Sequence, residues 1–145
     1  EMSYEPLGDP LNGDAPGDWF GAYVSLSDDG TTLAIGAPYN DVNGIHSGQV
    51  KIFKFDDTTA DFKQRGPSLY GKAEDDEFGL SVGLSADGNT LVVGASQRFA
   101  DKPGFVEVLR LDEDALAYKQ LGHTLNGDAN DQFGSAVALS EDGKM

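Results

Sequence analysis

The sequence predicts an all-β protein built from tandem antiparallel units, and three observations carry that prediction. Turn formers dominate: of 25 acidic residues 18 are Asp and 7 are Glu, and Gly adds 19 more in a chain of 145 residues. Asp and Gly favour turns and disfavour helices. The apolar residues fall in short runs rich in β-branched and aromatic side chains, several of them alternating with period two. The chain also repeats itself at a step of 58 and then 55 residues, from Phe20 to Phe78 to Phe133. Four short strands in a unit of about 55 residues describe a propeller blade, so the sequence predicts a partial β-propeller of about two and a half four-stranded antiparallel blades. A β-solenoid has a much shorter rung, and a sandwich does not require this self-similarity.

The repeat is visible residue by residue. Phe20-Gly-Ala-Tyr-Val-Ser-Leu-Ser-Asp-Asp-Gly-Thr-Thr-Leu-Ala-Ile-Gly-Ala-Pro38 returns as Phe78-Gly-Leu-Ser-Val-Gly-Leu-Ser-Ala-Asp-Gly-Asn-Thr-Leu-Val-Val-Gly-Ala-Ser96 and begins again at Phe133-Gly-Ser-Ala-Val-Ala-Leu-Ser-Glu-Asp-Gly-Lys-Met145. Gly48-Gln-Val-Lys-Ile-Phe-Lys-Phe-Asp56 matches Gly104-Phe-Val-Glu-Val-Leu-Arg-Leu-Asp112, and Leu11-Asn-Gly13 matches Leu69-Tyr-Gly71 and Leu125-Asn-Gly127. These landmarks divide the chain into an outer strand of a preceding blade (1–13), two blades (14–71 and 72–127) and the start of another (128–145).

Each unit resolves into four strands. The first, about Ala22 to Ser27, points Ala22, Val24 and Leu26 one way and Tyr23 and Ser25 the other; Leu80, Val82 and Leu84, then Val137 and Leu139, alternate alike. Asp29-Gly30, Asp87-Gly88 and Asp142-Gly143 follow, hairpin signals because the turn needs positive φ. The second strand, Thr32 to Ala37 and Thr90 to Ala95, is apolar on both faces, as a strand covered on both sides should be. Gly36 and Gly94 inside it predict close approach by a neighbouring backbone or ring. The third strand, Gln49 to Phe55 and Phe105 to Leu111, changes apolar phase between Ile52 and Phe53, which fits either a bulge or two-sided burial. The fourth, about Lys63 to Leu69 and Lys119 to Leu125, contains Pro67, which favours an outer edge.

These residues resemble the FG-GAP repeat family. Phe20-Gly21 with Gly36-Ala37-Pro38, and Phe78-Gly79 with Gly94-Ala95-Ser96, stand where that motif opens and closes. The resemblance implies a β-propeller like the head of integrin α-chains, usually extracellular or at the cell surface and used for adhesion or ligand binding. Many members carry a calcium loop of the form Asp-x-Asp/Asn-x-Asp-Gly-x-x-Asp between the first two strands. Here that place holds only Ser27-Asp28-Asp29-Gly30-Thr31-Thr32 and Ser85-Ala86-Asp87-Gly88-Asn89-Thr90. Calcium takes 6–8 oxygens, which such short turns do not offer. The chain is thus similar to the branch that lacks the calcium loop, and no metal or cofactor is expected.

Charge excludes several functions. The net charge is −15, from 10 Lys+Arg against 25 Asp+Glu. Its field repels nucleic acid and anionic membranes. With no Cys there is no disulfide, thiolate metal site or Cys nucleophile. No apolar run is long enough for a membrane span. His46 and His123 do not recur and sit in no triad-like setting, and no phosphate loop, zinc spacing or paired-carboxylate signature is present, so no catalytic residue is assigned.

Two places are candidates for ligand contact. Tyr39-Asn-Asp-Val-Asn-Gly-Ile-His-Ser47 brings Asn40, Asp41, Asn43 and His46 into a loop that the second copy lacks in that form; the alternative is a solvated loop. Trp19 stands where the other copies have Glu77 and Gln132, as a binding aromatic or as packing against a neighbouring blade. The run Glu74-Asp-Asp-Glu77 reads as a solvated face, and Phe20, Phe78 and Phe133 as core wedges.

The sequence starts and stops inside a unit, whereas closed propellers have about 4–8 blades. It therefore reads as a fragment with apolar blade faces open to self-association. The function these features favour is a non-catalytic module binding a protein or glycan ligand, within a larger surface or secreted protein. The rivals are a fragment of a polysaccharide hydrolase or lyase with its active site in other blades, and a structural spacer; the fold alone does not choose.

Overall fold

The two alternating runs and their Asp-Gly turns form the hairpins expected of them. The computed structural model describes residues 2–98 and 101–144. In the first unit, β1 (Tyr23–Leu26), β2 (Thr32–Ala37), β3 (Gln49–Asp56) and β4 (Asp61–Gln64) pair in order, and β5 (Leu69–Tyr70) joins β3 beyond β4. The second unit repeats this with β6 (Ser81–Leu84), β7 (Thr90–Ala95), β8 (Pro103–Asp112), β9 (Ala117–Gln120) and β10 (Leu125–Ala129), where β9 and β10 both pair with β8. Every pairing within these sheets is antiparallel.

The phase change in the third strand is not a bulge. β3 pairs with β2 without interruption from Lys54 opposite Thr32 to Gln49 opposite Ala37, and β8 pairs with β7 in the same way. Val50, Lys51, Ile52 and Phe53 are all buried, so the strand is covered on both faces. The irregularity lies in the fourth strand instead. Phe53 faces Gln64 and Val50 faces Leu69; Leu109 faces Gln120 and Val106 faces Leu125. Two extra residues on the outer strand are accommodated around Gly66 (φ 78°) and Gly122 (φ 77°), at the same place in both units.

The Ser-x-Asp-Gly turns are closed by their own side chains. Asp29 Oδ1 accepts from Ser27 Oγ (2.7 Å), Thr31 N (2.9 Å) and Thr31 Oγ1 (2.8 Å). These donors, Ser27 first, lower the Asp29 pKa to about 2. Asp87 and Asp142 repeat the arrangement with Ser85 and Asn89, and with Ser140 and Lys144, and are lowered too.

The two sheets stack face to face. Ala34, Val50 and Ile52 of the first pack with Phe78, Leu91, Val93 and Ala95 of the second, and Val82 and Leu84 lie against this core. Glycine makes the approach possible: a Cβ on Gly36 would fall 2.1 Å from the Gly79 carbonyl oxygen, and one on Gly94 2.0 Å from that of Gly134. This is the backbone contact that those in-strand glycines predict. A second tie recurs with the repeat, Asp28 N to Ala86 O (3.0 Å) and Ala86 N to Glu141 O (2.8 Å).

An ion pair also recurs, with its charges exchanged. Lys51 on β3 meets Asp14 at 2.5 Å; at the equivalent positions Glu107 on β8 meets Lys72 at 2.5 Å. Each fastens the segment before the Phe-Gly motif to the third strand of its unit. Lys51, assisted by Gln49, holds the Asp14 carboxyl below its usual range.

The structure contains two blades rather than two and a half. No strand occurs among residues 2–22 or 130–144. Residues 133–144 lie where the first strand of a further blade would, with Val137 and Leu139 against Val92, Val106 and Val108. Among the described residues no second strand pairs with them, so no ladder forms. The three Phe-Gly rings are unequal: Phe78 is 2% exposed between two sheets, Phe20 is half-buried, and Phe133 is 38% exposed.

Candidate functional site

The backbone before each Phe-Gly takes an unusual course that determines what reaches the rim. Positions 17, 19 and 21 all have positive φ, as do 75, 77 and 79 and 130, 132 and 134. The last of each trio is glycine, and at Gly79 and Gly134 a Cβ would meet the Gln49 and Phe105 carbonyl oxygens at 2.7 and 2.5 Å. The middle one is not: Trp19 (φ 58°), Glu77 (φ 51°) and Gln132 (φ 55°) are forced into the left-handed region, at about 1–2 kcal/mol each. The repeat thus builds one backbone socket and presents a different side chain from each copy.

The residue before that socket is a structural anchor. Asp76 Oδ2 accepts from the Lys72 and Ala73 amides (2.8 and 2.9 Å), and Asp131 takes the Asp128 and Phe133 amides (2.8 and 2.7 Å). Asp18 takes the Asn40 side-chain amide at 2.8 Å. Asp18, Asp76 and Glu77 are buried, so the run 74–77 is not a solvated face: two of its four carboxylates turn inward to satisfy loop donors.

In the first unit the socket presents Trp19, 56% exposed. Its ring lies 4.6 Å from that of Tyr39, and Tyr39 lies 4.7 Å from His46. His46 Nδ1 is 3.3 Å from Asp75 Oδ1, which ties the row to the next blade. From the second unit, Arg98 donates from Nη2 to the Tyr39 hydroxyl (3.3 Å) and pairs with the fully buried Glu77 (Nη2 to Oε1, 3.1 Å). Glu77 also takes Ser96 Oγ (2.9 Å) and the Arg98 amide (3.0 Å), so the carboxylate is buried with partners. Glu77 in turn raises the Arg98 pKa, keeping the guanidinium charged.

The residues selected from the sequence divide into two groups. Trp19 and His46 stand in this row. Asn40 is 3% exposed, with Nδ2 on Asp18 and Oδ1 taking the Val42 amide (3.2 Å), which makes it a strut of the loop. Asp41 Oδ1 caps the His46 amide (2.8 Å), and Asn43 Nδ2 donates to the Gly71 carbonyl (2.8 Å). These three shape the loop that carries the rings. Tyr39 and Arg98 are not among the residues the sequence points to. Tyr39 directly follows Gly36-Ala-Pro38, and that adjacency to the motif was the available signal; Arg98 has no repeat partner to mark it.

Residues 12–53 match the FG-GAP repeat family. The matched stretch spans β1, β2 and most of β3, including the socket, Trp19 and the loop that carries Tyr39 and His46. No curated protein matches the chain. Among solved structures, a putative 6-phosphogluconolactonase from Bacteroides fragilis is similar at 17% identity and TM-score 0.47, over 78% of this chain and 26% of that one. The periplasmic gluconolactonase of Pseudomonas aeruginosa is similar at 21% identity and TM-score 0.46, over 71% of this chain and 28% of that one. The chain spans about a quarter of the length of these two structures.

Proposed function

We propose that this FG-GAP repeat β-sheet module is a non-catalytic binding unit that takes a protein or glycan ligand on the rim formed by Trp19, Tyr39, His46 and Arg98. The observation that supports it most is the exposed Trp19 ring, held by a strained backbone at the end of an aromatic row. A side chain with so much apolar surface in water, kept rigid by Tyr39, contributes binding energy at little further entropic cost. Trp, Tyr and Arg are also the residue types that dominate protein interfaces, and flat rings suit sugar faces equally. The polar groups around the row are engaged in holding it: Glu77 by Arg98, Asn40 by Asp18, Asp41 by the His46 amide. That favours recognition over proton transfer, which needs an acid or base aimed at a reacting group. The resemblance to integrin-head repeats favours a setting at the cell surface or outside the cell.

The test is a comparison of the wild type with Trp19→Ala on a glycan array and against partners captured by cross-linking from the source cells. Loss of one specific class of binding in Trp19→Ala, with the fold unchanged, supports the proposal and names the class. Specific binding that is indifferent to Trp19, Tyr39 and Arg98 substitution refutes it. Trp19 is the sole tryptophan, so its fluorescence reports ligand arrival directly.

A further inference from the structure

We infer that the cleft between the outer edges of the two blades binds an acidic sugar, a uronic acid whose carboxylate sits against Lys54, Lys63 and Arg65. The cleft has a volume of about 510 Å³, within the range of small-ligand sites. The end of β3, the turn after it and residues 63–66 line one side, and Leu116 of the second blade lines the other. Gly66 lets the two sides approach, since a Cβ there would fall 2.4 Å from the Leu116 carbonyl oxygen. The cleft lies at the opposite end of β3 from the Tyr39 loop, so it is separate from the aromatic row and independent of the role proposed for that row.

Two features make this place an exception in the molecule. The chain has 10 Lys+Arg against 25 Asp+Glu, yet Lys54, Lys63 and Arg65 line a single cleft. Arg65 also breaks the repeat: Leu7 and Leu121 hold its place before the recurring Gly8, Gly66 and Gly122. Where the other copies put an apolar side chain, this one puts a guanidinium.

These charges are not consumed by ion pairs. Among the described residues neither Arg65 nor Lys54 pairs with a carboxylate, and Lys63 keeps only a loose contact with Asp61 (3.5 Å). Lys54 Nζ donates to two hydroxyls, Thr31 Oγ1 (2.5 Å) and Thr32 Oγ1 (3.3 Å). Arg65 Nη1 is buried with no hydrogen-bond partner. The guanidinium stands beside the Tyr118 phenol of the second blade: burial raises the pKa of that phenol and Arg65 lowers it. A guanidinium partly stripped of water and given no counter-charge is unfavourable, and an anion in the cleft relieves it.

The lining specifies the anion. Asp56 and Asp57 share the cleft with the three cations, so the positive excess is a single charge. That balance suits a monoanion and disfavours a phosphate dianion, and a planar carboxylate matches the guanidinium fork. The two aspartates are acceptors for ring hydroxyls, and Phe55 with Leu116 offers apolar surface to a C–H face. A uronic acid carries all three kinds of group on one ring.

The experiment is a heteronuclear NMR titration with galacturonate, galactose and inorganic phosphate in turn. Physiological ionic strength, with a Debye length of about 8 Å, screens the net charge of −15 but not contacts inside the cleft. Galacturonate should shift the Arg65 Nε–H and the Gly66 and Leu116 amides, with a Kd on the order of 1 mM for a ligand of its size. Galactose should leave them unmoved, and phosphate should bind more weakly than galacturonate. Arg65→Leu restores the residue of the other copies and should weaken galacturonate binding at least about 10-fold. Lys63→Gln, at an exposed position, should weaken it by about 2- to 5-fold without touching the fold. No shift with galacturonate would overturn the inference, as would equal binding of galactose or tighter binding of phosphate. A folded Arg65→Leu protein that binds like the wild type would do the same. If Arg65→Leu fails to fold, wild-type affinity in Lys63→Gln is the result that overturns it.

Discussion

Phe78 and Phe133 occupy the same place in the repeated motif, and the structure makes their substitution by alanine unequal. Phe78 is 2% exposed, in contact with both sheets and 6.4 Å from the Phe105 ring. Its removal loses the transfer energy of the ring and leaves a cavity that the two stacked sheets cannot close, about 3–5 kcal/mol in total. Phe133 is 38% exposed, so about three-fifths of a transfer term of about 1.5–3 kcal/mol is at stake, and water enters without a cavity. That gives about 1–2 kcal/mol. Urea titration followed by circular dichroism measures both. Phe78→Ala should lower the midpoint by at least about twice as much as Phe133→Ala, with a similar slope. Equal losses would refute the reasoning, because they would mean that Phe78 is not sandwiched between blades.

Other consequences follow from the same geometry. Asp29 titrates at about 2 in the fold against 3.8 without its donors, so its contribution is complete above about pH 4 and is lost as pH falls through about 2; Asp29→Asn should remove that part of the acid transition in a pH-dependent thermal melt. Lys72→Glu places a second carboxylate beside the buried Glu107 and should cost more than Lys72→Ala, itself about 1 kcal/mol for a pair half in solvent, while Lys72→Glu with Glu107→Lys should recover most of the loss. The first blade already carries that reversed pair as Asp14 with Lys51, which is why the double exchange is compatible with the fold. Gly36→Ala should separate the blades, since its Cβ would lie 2.1 Å from a backbone oxygen that cannot move alone; a thermal midpoint within about a degree of the wild type would contradict this.

The parts of the fold written most clearly in the sequence are those where one residue type has one physical use. Asp-Gly marks the hairpin turns, period two marks β1 and β6, and a run apolar on both faces marks β2 and β7, whose limits are the ones the residues suggest. The glycines at 36 and 94 announced a close neighbour without naming it; the carbonyls of Gly79 and Gly134 come from the next unit, and only the stacked blades reveal them. The irregular outer strand was obscured because its cause is a recurring glycine, Gly66 and Gly122, rather than Pro67. The buried acids were the least legible. Asp18, Asp76 and Asp131 recur two residues before each Phe-Gly, and a carboxylate that recurs in every copy is answering a backbone need, as the amides on Asp76 and Asp131 show. Of the candidate site, the sequence indicated Trp19 and His46 by their failure to repeat. Tyr39 and Arg98 join them through contacts across the blades, which no local pattern encodes.

Everything rests on two duplicated blades that stack with the Phe-Gly corner of one against the second strand of the other. The α-protons of Gly36 and Gly79 report that contact by nuclear Overhauser effect, since a Cβ at Gly79 would lie 3.3 Å from the Gly36 Cα. The account predicts a strong cross-peak between them, matched by one between Gly94 and Gly134 and by β2–β3 cross-strand peaks such as Ala34 with Ile52. Intact strand ladders with neither glycine cross-peak would contradict it, because the two sheets would then be folded but not stacked.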